Sequence, residues 1–407
     1  MAGAVSLPPW PIFESDELAA VEAVLRSGRV NYWTGNACRD FEAAWSTAHA
    51  GVHCVSMANG SLTMDAALHA LGIGAGDEVI VSPRSYVASA MCVALTGATP
   101  VFADVDPESG CITAASAEAV RSARTRAVIP VHIGGWPCDM PAICAWADRH
   151  GICVVEDCAQ AHGATIGAQP VGTFGQLASW SFCQDKIMTT GGEGGMLSTR
   201  DEALAKQCWS YAQHGKDFDE AMAGSSPDDN GHFRWLVRHV GTNLRMTEMQ
   251  AAIGLVQLAK LPRWVAARRR NSLIMQDALR TVPLLRVPET PPGHAHYRCV
   301  AFVEGEAAPA ARDQLLRALR ERGLPGVYGS CAEISRESLF VDRGFTPGAL
   351  RRGPIDGDGR LPVARRLGET SLTFLCHHTV DEAAMRAYAD AVVACLTRSR
   401  RSVAAAS

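Results

Sequence analysis

From about residue 50 to residue 200 the chain alternates between two patterns. Short, nearly continuous apolar runs (HCVSM, EVIVSP, TPVFADV, RAVIPVHI, ICVVEDC, LASWSFC and GGMLST) are separated by stretches with apolar residues at helical spacing, such as LTMDAALHALG, SYVASAMCVALTG, AEAVRSA and MPAICAWADRHG. Short apolar strands alternating with helices predict an α/β fold with a mostly parallel sheet covered on both faces. Ahead of this region, DELAAVEAVLRSG reads as a helix with acids at its start and Gly28 as its stop. After residue 201 the pattern turns helical. DEALAKQCWSYAQHG forms one helix, and TEMQAAIGLVQLAKLPRWVAARRRNSLIMQDALR forms a long one, with a bend expected near Pro262. The last third mixes a strand, YRCVAFV, with the helices ARDQLLRALRERG and DEAAMRAYADAVVACL. The expected organisation is a large domain over residues 1–260 and a smaller α+β domain over 261–407. Residues 222–233 read as a loop by composition.

Composition narrows the classes. Apolar residues make up 47% of the 407 positions and charged residues 20%, which excludes a disordered chain. The 38 Lys and Arg against 42 Asp and Glu leave a net charge of −4, so no strong basic excess points to nucleic acid. No run of 18 apolar residues suggests a membrane span, and the first residues lack the basic and apolar sections of a secretory signal. The 14 cysteines include no CxxC pair and are expected to be reduced thiols of a cytoplasmic protein.

Four segments carry candidate chemistry, each at the end of a predicted strand. In SFCQDKIMTTGGEGGM, residues 181–196, Lys186 precedes a glycine-rich turn that fits neither the P-loop nor the dinucleotide fingerprint. Lysine amines form Schiff bases with carbonyl compounds, pyridoxal phosphate among them. In ICVVEDCAQAHGA, Asp157 ends a strand, where open α/β sheets bind ligands; it suits either a pyridinium partner or a helix N-cap. In ANGSLTMDAAL, residues 58–68, a turn opens a helix whose free N–H groups suit a phosphate. In SPRSYVASA, residues 82–90, Tyr86 suits either stacking on a planar ring or the core.

The order of these segments, with NGSLTMDAAL, VVEDCAQAHGA, SFCQDKIMTTGGEGGM and GTNLRMTEMQAAIG (241–254), resembles the DegT/DnrJ/EryC1/StrS family of sugar aminotransferases, over residues of about 10 to 395. The resemblance implies the pyridoxal-phosphate transferase fold of type I, with a seven-stranded, mostly parallel sheet in the large, cofactor-binding domain. It implies pyridoxal 5'-phosphate as cofactor, Lys186 as its Schiff-base lysine and proton shuttle, and Asp157 as partner of the ring nitrogen. Gln160 would contact the ring's 3-oxygen or a ring face, and Tyr86 would stack. Gly60, Ser61 and Ser181 would bind the phosphate, joined by Asn243 from a neighbouring subunit, so a homodimer with shared sites is implied. Ser61 stands where Thr is usual, and Tyr86 where Phe or Trp is. The implied reaction moves an amino group from glutamate or glutamine to a keto sugar, nucleotide-linked or free, or to a cyclitol. Arg245 and His377 are substrate-contact candidates.

Rival readings are a pyridoxal-phosphate sugar dehydratase, another fold type I reaction, and a non-catalytic binding protein. Such dehydratases carry His in place of the lysine, whereas Lys186 is present. Cys183 invites a desulfurase reading, but its neighbours read as a strand, where packing is the expectation. A decayed binding protein would be expected to lose Lys186 or Asp157. No metal site is expected: His49 and His53 lack the glutamate of a zinc helix.

Overall fold

A computed structural model describes residues 7–223, 236–328, 333–341 and 361–404. The chain opens with helices α1 (Ser15–Ser27) and α2 (Ala37–Ala48). Gly28 ends α1 in the left-handed conformation, φ 67°, as the sequence predicts. Strand–helix alternation follows: β1 (His53–Met57), α3 (Gly60–Ala70), β2 (Glu78–Val81), α4 (Ala88–Leu95), β3 (Thr99–Phe102), α5 (Ala114–Val120), β4 (Thr125–Ile129), α6 (Met140–His150) and β5 (Cys153–Asp157). A short hairpin, β6 (Thr165–Ile166) and β7 (Gln169–Pro170), precedes β8 (Leu177–Ser181) and β9 (Gly195–Thr199).

All seven predicted apolar runs become the strands of one sheet, in the order β1-β9-β8-β5-β4-β2-β3. Only β9 runs antiparallel to its neighbours. Most strand residues are buried, β2 and β9 at every position, because helices cover both faces. Three of the helices between them, α3, α5 and α6, start on side-chain caps. Asn59 accepts from Leu62 N at the head of α3, and Asp139 accepts from Ala142 N at the head of α6.

Beyond the sheet lie α7 (Glu202–Ala212), α8 (Phe218–Ala223) and the 32-residue α9 (Glu248–Leu279). Pro262 lies inside α9, which the structure nonetheless records as one helix. The expected loop at 222–233 begins inside α8; its positions from 224 on lie outside the described residues. The C-terminal part holds β10 (Leu285–Arg286), β11 (Cys299–Val303), α10 (Ala308–Glu321), β12 (Val327–Tyr328), α11 (Ser338–Val341), α12 (Pro362–Thr370), β13 (Ser371–Phe374) and α13 (Glu382–Ala404). Its four strands form an antiparallel sheet, β10-β11-β13-β12. This sheet and α13 enclose a core that includes Leu315, Phe374 and Tyr388. A separate aromatic core, with Phe41, Trp45, Trp180 and Phe182, fills the space between α2 and β8.

Lys260 of α9 pins the N-terminal helix. Its amine reaches Glu14, Asp16 and Glu17 at 2.6–2.8 Å, so one buried cation gathers three carboxylates at the start of α1. No described helix is long and apolar enough to cross a membrane. The thirteen described cysteines are free thiols.

Candidate active site

The topology brings the four predicted segments to one rim. β1, β2, β4, β5 and β8 point their carboxyl ends the same way, and the reversed β9 starts at that rim. Ligands of open α/β sheets bind at this edge because helix N-termini and strand ends converge there.

Asp157 is the last residue of β5 and is 4% exposed. Its Oδ2 accepts from Ser89 Oγ at 2.8 Å, and its Oδ1 from Ala159 N at 3.1 Å. Burial pushes its carboxyl above the usual range, against the opposing pull of these two bonds and of the Lys186 charge. A carboxylate can take about four hydrogen bonds. The two described here leave acceptor capacity for a group arriving from the rim.

Lys186 lies in the turn between β8 and β9. Its ammonium stands 5.4 Å from the centroid of the Tyr297 ring and 3.9 Å from Asp185 Oδ1. The Tyr297 hydroxyl donates to Asp185, and Arg298 lies 3.5 Å from the same carboxylate. Burial raises the Asp185 pKa, but the Lys186 charge, the Tyr297 hydroxyl and Arg298 together outweigh it and hold the carboxyl below its ordinary value.

Gly60 is the first residue of α3, and Ser61 after it is exposed. The backbones meet closely here: a Cβ at Gly60 would stand 2.6 Å from Ser181 Cβ, and one at Gly195 would stand 2.5 Å from the Asn59 carbonyl. Only glycine allows this approach. The Gly60 carbonyl accepts from Thr63 Oγ1 and Ser179 Oγ, and Asn59 Oδ1 takes the Leu62 N–H. The N–H groups of a helix's first turn have no partner within the helix, so this end can offer donors at the rim. Gln160, buried, accepts from Gly134 N at 2.7 Å.

The remaining predicted residues fall around this centre. Tyr86 is 69% exposed in the single chain, its ring uncovered. Asn243 and Arg245 flank Leu244, whose carbonyl accepts from Ala58 N beside the head of α3. Asn243 is exposed, and Arg245 donates to Gln213 while its Nε has no hydrogen-bond partner among the described residues. His377 is buried, and its Nδ1 is engaged with Thr379 Oγ1 at 2.6 Å. Burial, with the Arg268 and Arg298 charges, brings its pKa down to about 4. Three contributors escaped the sequence reading: Ser89 behind Asp157, Tyr297 beside Lys186, and Trp10, which reaches the lysine backbone. Ser89 alone left a signal, three positions after Tyr86 and second in α4.

His132, Glu156 and Cys158 lie close enough together to hold a metal ion, but the first two are already used. His132 Nδ1 accepts from Cys138 N, so its Nε2 carries the hydrogen and donates to Glu156.

Known proteins resemble this chain in sequence and fold. Residues 11–333 match the model of the DegT/DnrJ/EryC1/StrS aminotransferase family. The chain is 34% identical over 406 residues to an L-glutamine:2-deoxy-scyllo-inosose aminotransferase of Streptomyces kanamyceticus, covering 94% of this chain and 92% of that one. It is 37% identical over 342 residues to a UDP-N-acetyl-3-dehydro-alpha-D-glucosamine 3-aminotransferase of Acidithiobacillus ferrooxidans, with 83% of each covered. The solved aminotransferase of Psychrobacter cryohalolentis superposes with a TM-score of 0.89 at 42% identity, covering 97% of this chain and 100% of that one. With the family model spanning residues 11–333 and relatives 34% and 37% identical over most of their length, this chain belongs to the DegT/DnrJ/EryC1/StrS aminotransferase family.

Proposed function

We propose that the protein is a pyridoxal-phosphate-dependent aminotransferase that moves an amino group from glutamate or glutamine onto the keto carbon of a sugar or cyclitol. The observation that carries this reading is the buried Asp157 carboxylate, with acceptor capacity to spare, on the same rim as the Lys186 amine and the head of α3. These donors fit the cofactor: an amine for its carbonyl, a buried anion for its ring nitrogen, a helix N-terminus for its phosphate. When bound, pyridoxal phosphate supplies an electron sink and a carbonyl that accepts and returns an amino group.

The chain's own residues do the rest. Lys186 would hold the cofactor and, within each half-reaction, move a proton at Nζ as general base and then general acid. Asp157 keeps the proton on the ring nitrogen. Gly60, Ser61 and Ser181 bind the phosphate, Tyr86 covers a ring face, and Gln160 sits at the ring's 3-oxygen or a face. Arg245 is a substrate contact, and His377 becomes one if it releases Thr379. Glutamine as donor is supported by the named donor of the Streptomyces relative.

The test converts the loaded enzyme to its amino form and offers a panel of keto sugars and cyclitols. The near-ultraviolet band of that form is expected to give way to the visible band with one class of acceptor. No change with any acceptor, or turnover by Lys186→Ala, would overturn the reading.

We also infer a homodimer whose sites are shared through Asn243, a cytoplasmic location, and a division into domains 1–260 and 261–407. An uncovered Tyr86 ring beside the site supports the first, free thiols the second, and a separate sheet with its own core the third. Mixing Lys186→Ala with Asn243→Ala chains is expected to restore one working site per mixed dimer. Two inactive parents that stay inactive when mixed would argue against sharing.

A further inference from the structure

Lys186 is held from a part of the chain that carries no chemistry. Trp10, 176 positions away, donates its indole N–H to the Lys186 carbonyl at 2.8 Å. The Lys186 N–H is taken by the Cys183 carbonyl at 3.1 Å. Both peptide groups of the lysine are therefore fixed, one from its own turn and one from outside.

Trp10 is itself wedged in place. Its ring stands edge-on to Trp264 of α9 at 5.5 Å and to His378 at 4.5 Å. Trp264 and His378 stack face to face, with centroids 4.1 Å apart and planes 9° from parallel. The Thr379 hydroxyl donates to the Pro9 carbonyl at 3.2 Å. The Arg268 guanidinium, 2% exposed, lies 5.8 Å from the Trp10 ring centre. Residues 9 and 10 form a strap joining three distant parts of the chain: the lysine turn, α9 and the 377–379 turn.

We propose that Trp10 is a positioning residue for Lys186, and that the strap ties the lysine's orientation to the seating of the 377–379 turn. The inference rests on Lys186 being the reacting amine. A lysine side chain turns about four carbon–carbon bonds, so the frame at Cα sets the arc its Nζ can sweep. The lysine turn has little ladder support; Cys183 makes only an isolated bridge to Gly192. Without the indole, water would take the carbonyl and the peptide plane would be free to tilt. A misplacement of about 1 Å at a reacting group lowers a rate by about 100-fold.

Trp10→Phe tests this in the holoenzyme, because it keeps an aromatic ring facing Trp264 and His378 while removing the N–H donor along with the five-membered ring that carries it. The expected result is a kcat lower by about tenfold, with KM for either substrate within about twofold. The pH midpoint of the enzyme's visible absorption should move with it, while the thermal midpoint stays put. A second readout needs no turnover. In the cofactor-free protein, acetic anhydride labelling of Lys186, followed by peptide mass spectrometry, should change against the other lysines. Ile12→Ala, two residues beyond the strap, exposed and without a bond to Lys186, should match the parent in every measurement. The proposal is overturned if Trp10→Phe leaves both the pH midpoint and the Lys186 labelling as in the parent, or if Ile12→Ala reproduces its loss. Turnover by Lys186→Ala would overturn the reading of the lysine itself, whatever Trp10 does.

Discussion

Glu156 and Asp157 are neighbours on β5, both carboxylates, both buried, and pointed to opposite faces by the pleat. Their surroundings differ. Glu156 accepts from Gly172 N, Phe174 N and Gly175 N, each at 2.8 Å, and from His132 Nε2 at 3.2 Å. Every lone pair it owns is spent inside the protein. Asp157 accepts from Ser89 and Ala159 and retains capacity. The chemistry of the residue type is the same; the number of donors already supplied decides which carboxylate builds the fold and which serves a ligand. An acid saturated by its own chain gains stability from its charge. One left short carries a desolvation penalty that a ligand can relieve.

Substitutions sharpen the contrast, beginning with the group opposite Asp157. Lys186→Ala should lower transamination by about 10⁴-fold or more, since the amine serves in both cofactor attachment and proton transfer, with the fold retained. Single-turnover absorbance with a saturating amino donor reads it directly. Asp157→Asn should lower turnover by about 10³-fold, the scale for losing a preorganised charge in a dry site. The same change should raise the thermal midpoint of the cofactor-free protein. An Asn variant that is both slower and less stable would erase the proposed difference between the two acids.

Glu156→Gln should behave the other way. Three backbone N–H groups and an imidazole N–H converge on its two oxygens, so an NH₂ in place of either oxygen faces a donor. A loss of about 3 kcal/mol in folding stability is expected, measurable by urea denaturation. The turnover of the fraction that remains folded should stay near the parent's. The smallest effect is the pH dependence. The folded pKa of Asp157 is raised, so its contribution to stability is fully present below the unfolded value and is lost as pH rises through the folded one. His49 and His296, both brought down to about 4 chiefly by burial, act in the opposite sense: their contribution is present above the unfolded value of 6.5 and lost as pH falls toward 4. Subtracting the Asp157→Asn stability curve from the parent's should cancel the histidines and leave a difference that falls with rising pH. A difference that rises with pH would show that Asp157 is not penalised by burial.

Much of this was legible before any coordinates. The seven strands of the main sheet were readable because strands buried on both faces must be apolar almost throughout, as EVIVSP and ICVVEDC are. Lys186, Asp157 and Gly60 were readable because each follows such a run, so the parallel topology carries them to one rim. The reversal of β9 was hidden, since GGMLST is equally apolar in either direction. The two-residue strands β6, β7, β10 and β12 are too short to show a period. The difference between Glu156 and Asp157 was invisible for another reason. It depends on donors from residues 172–175 and 89, which only the folded chain assembles.

The strap at residues 9–10 also bears on how the protein comes into being. Pro9 leaves the ribosome 370 residues ahead of Thr379, its hydrogen-bond partner. The parallel sheet is complete in sequence by Thr199, so a nascent chain can assemble the rim long before the 377–379 turn exists. Closing so long a loop late is entropically mild, because each doubling of length adds only about 0.6 kcal/mol. The lysine is thus set last, by residues near the start of the described chain, and a chain interrupted short of residue 377 would have its main sheet without a fully held Lys186.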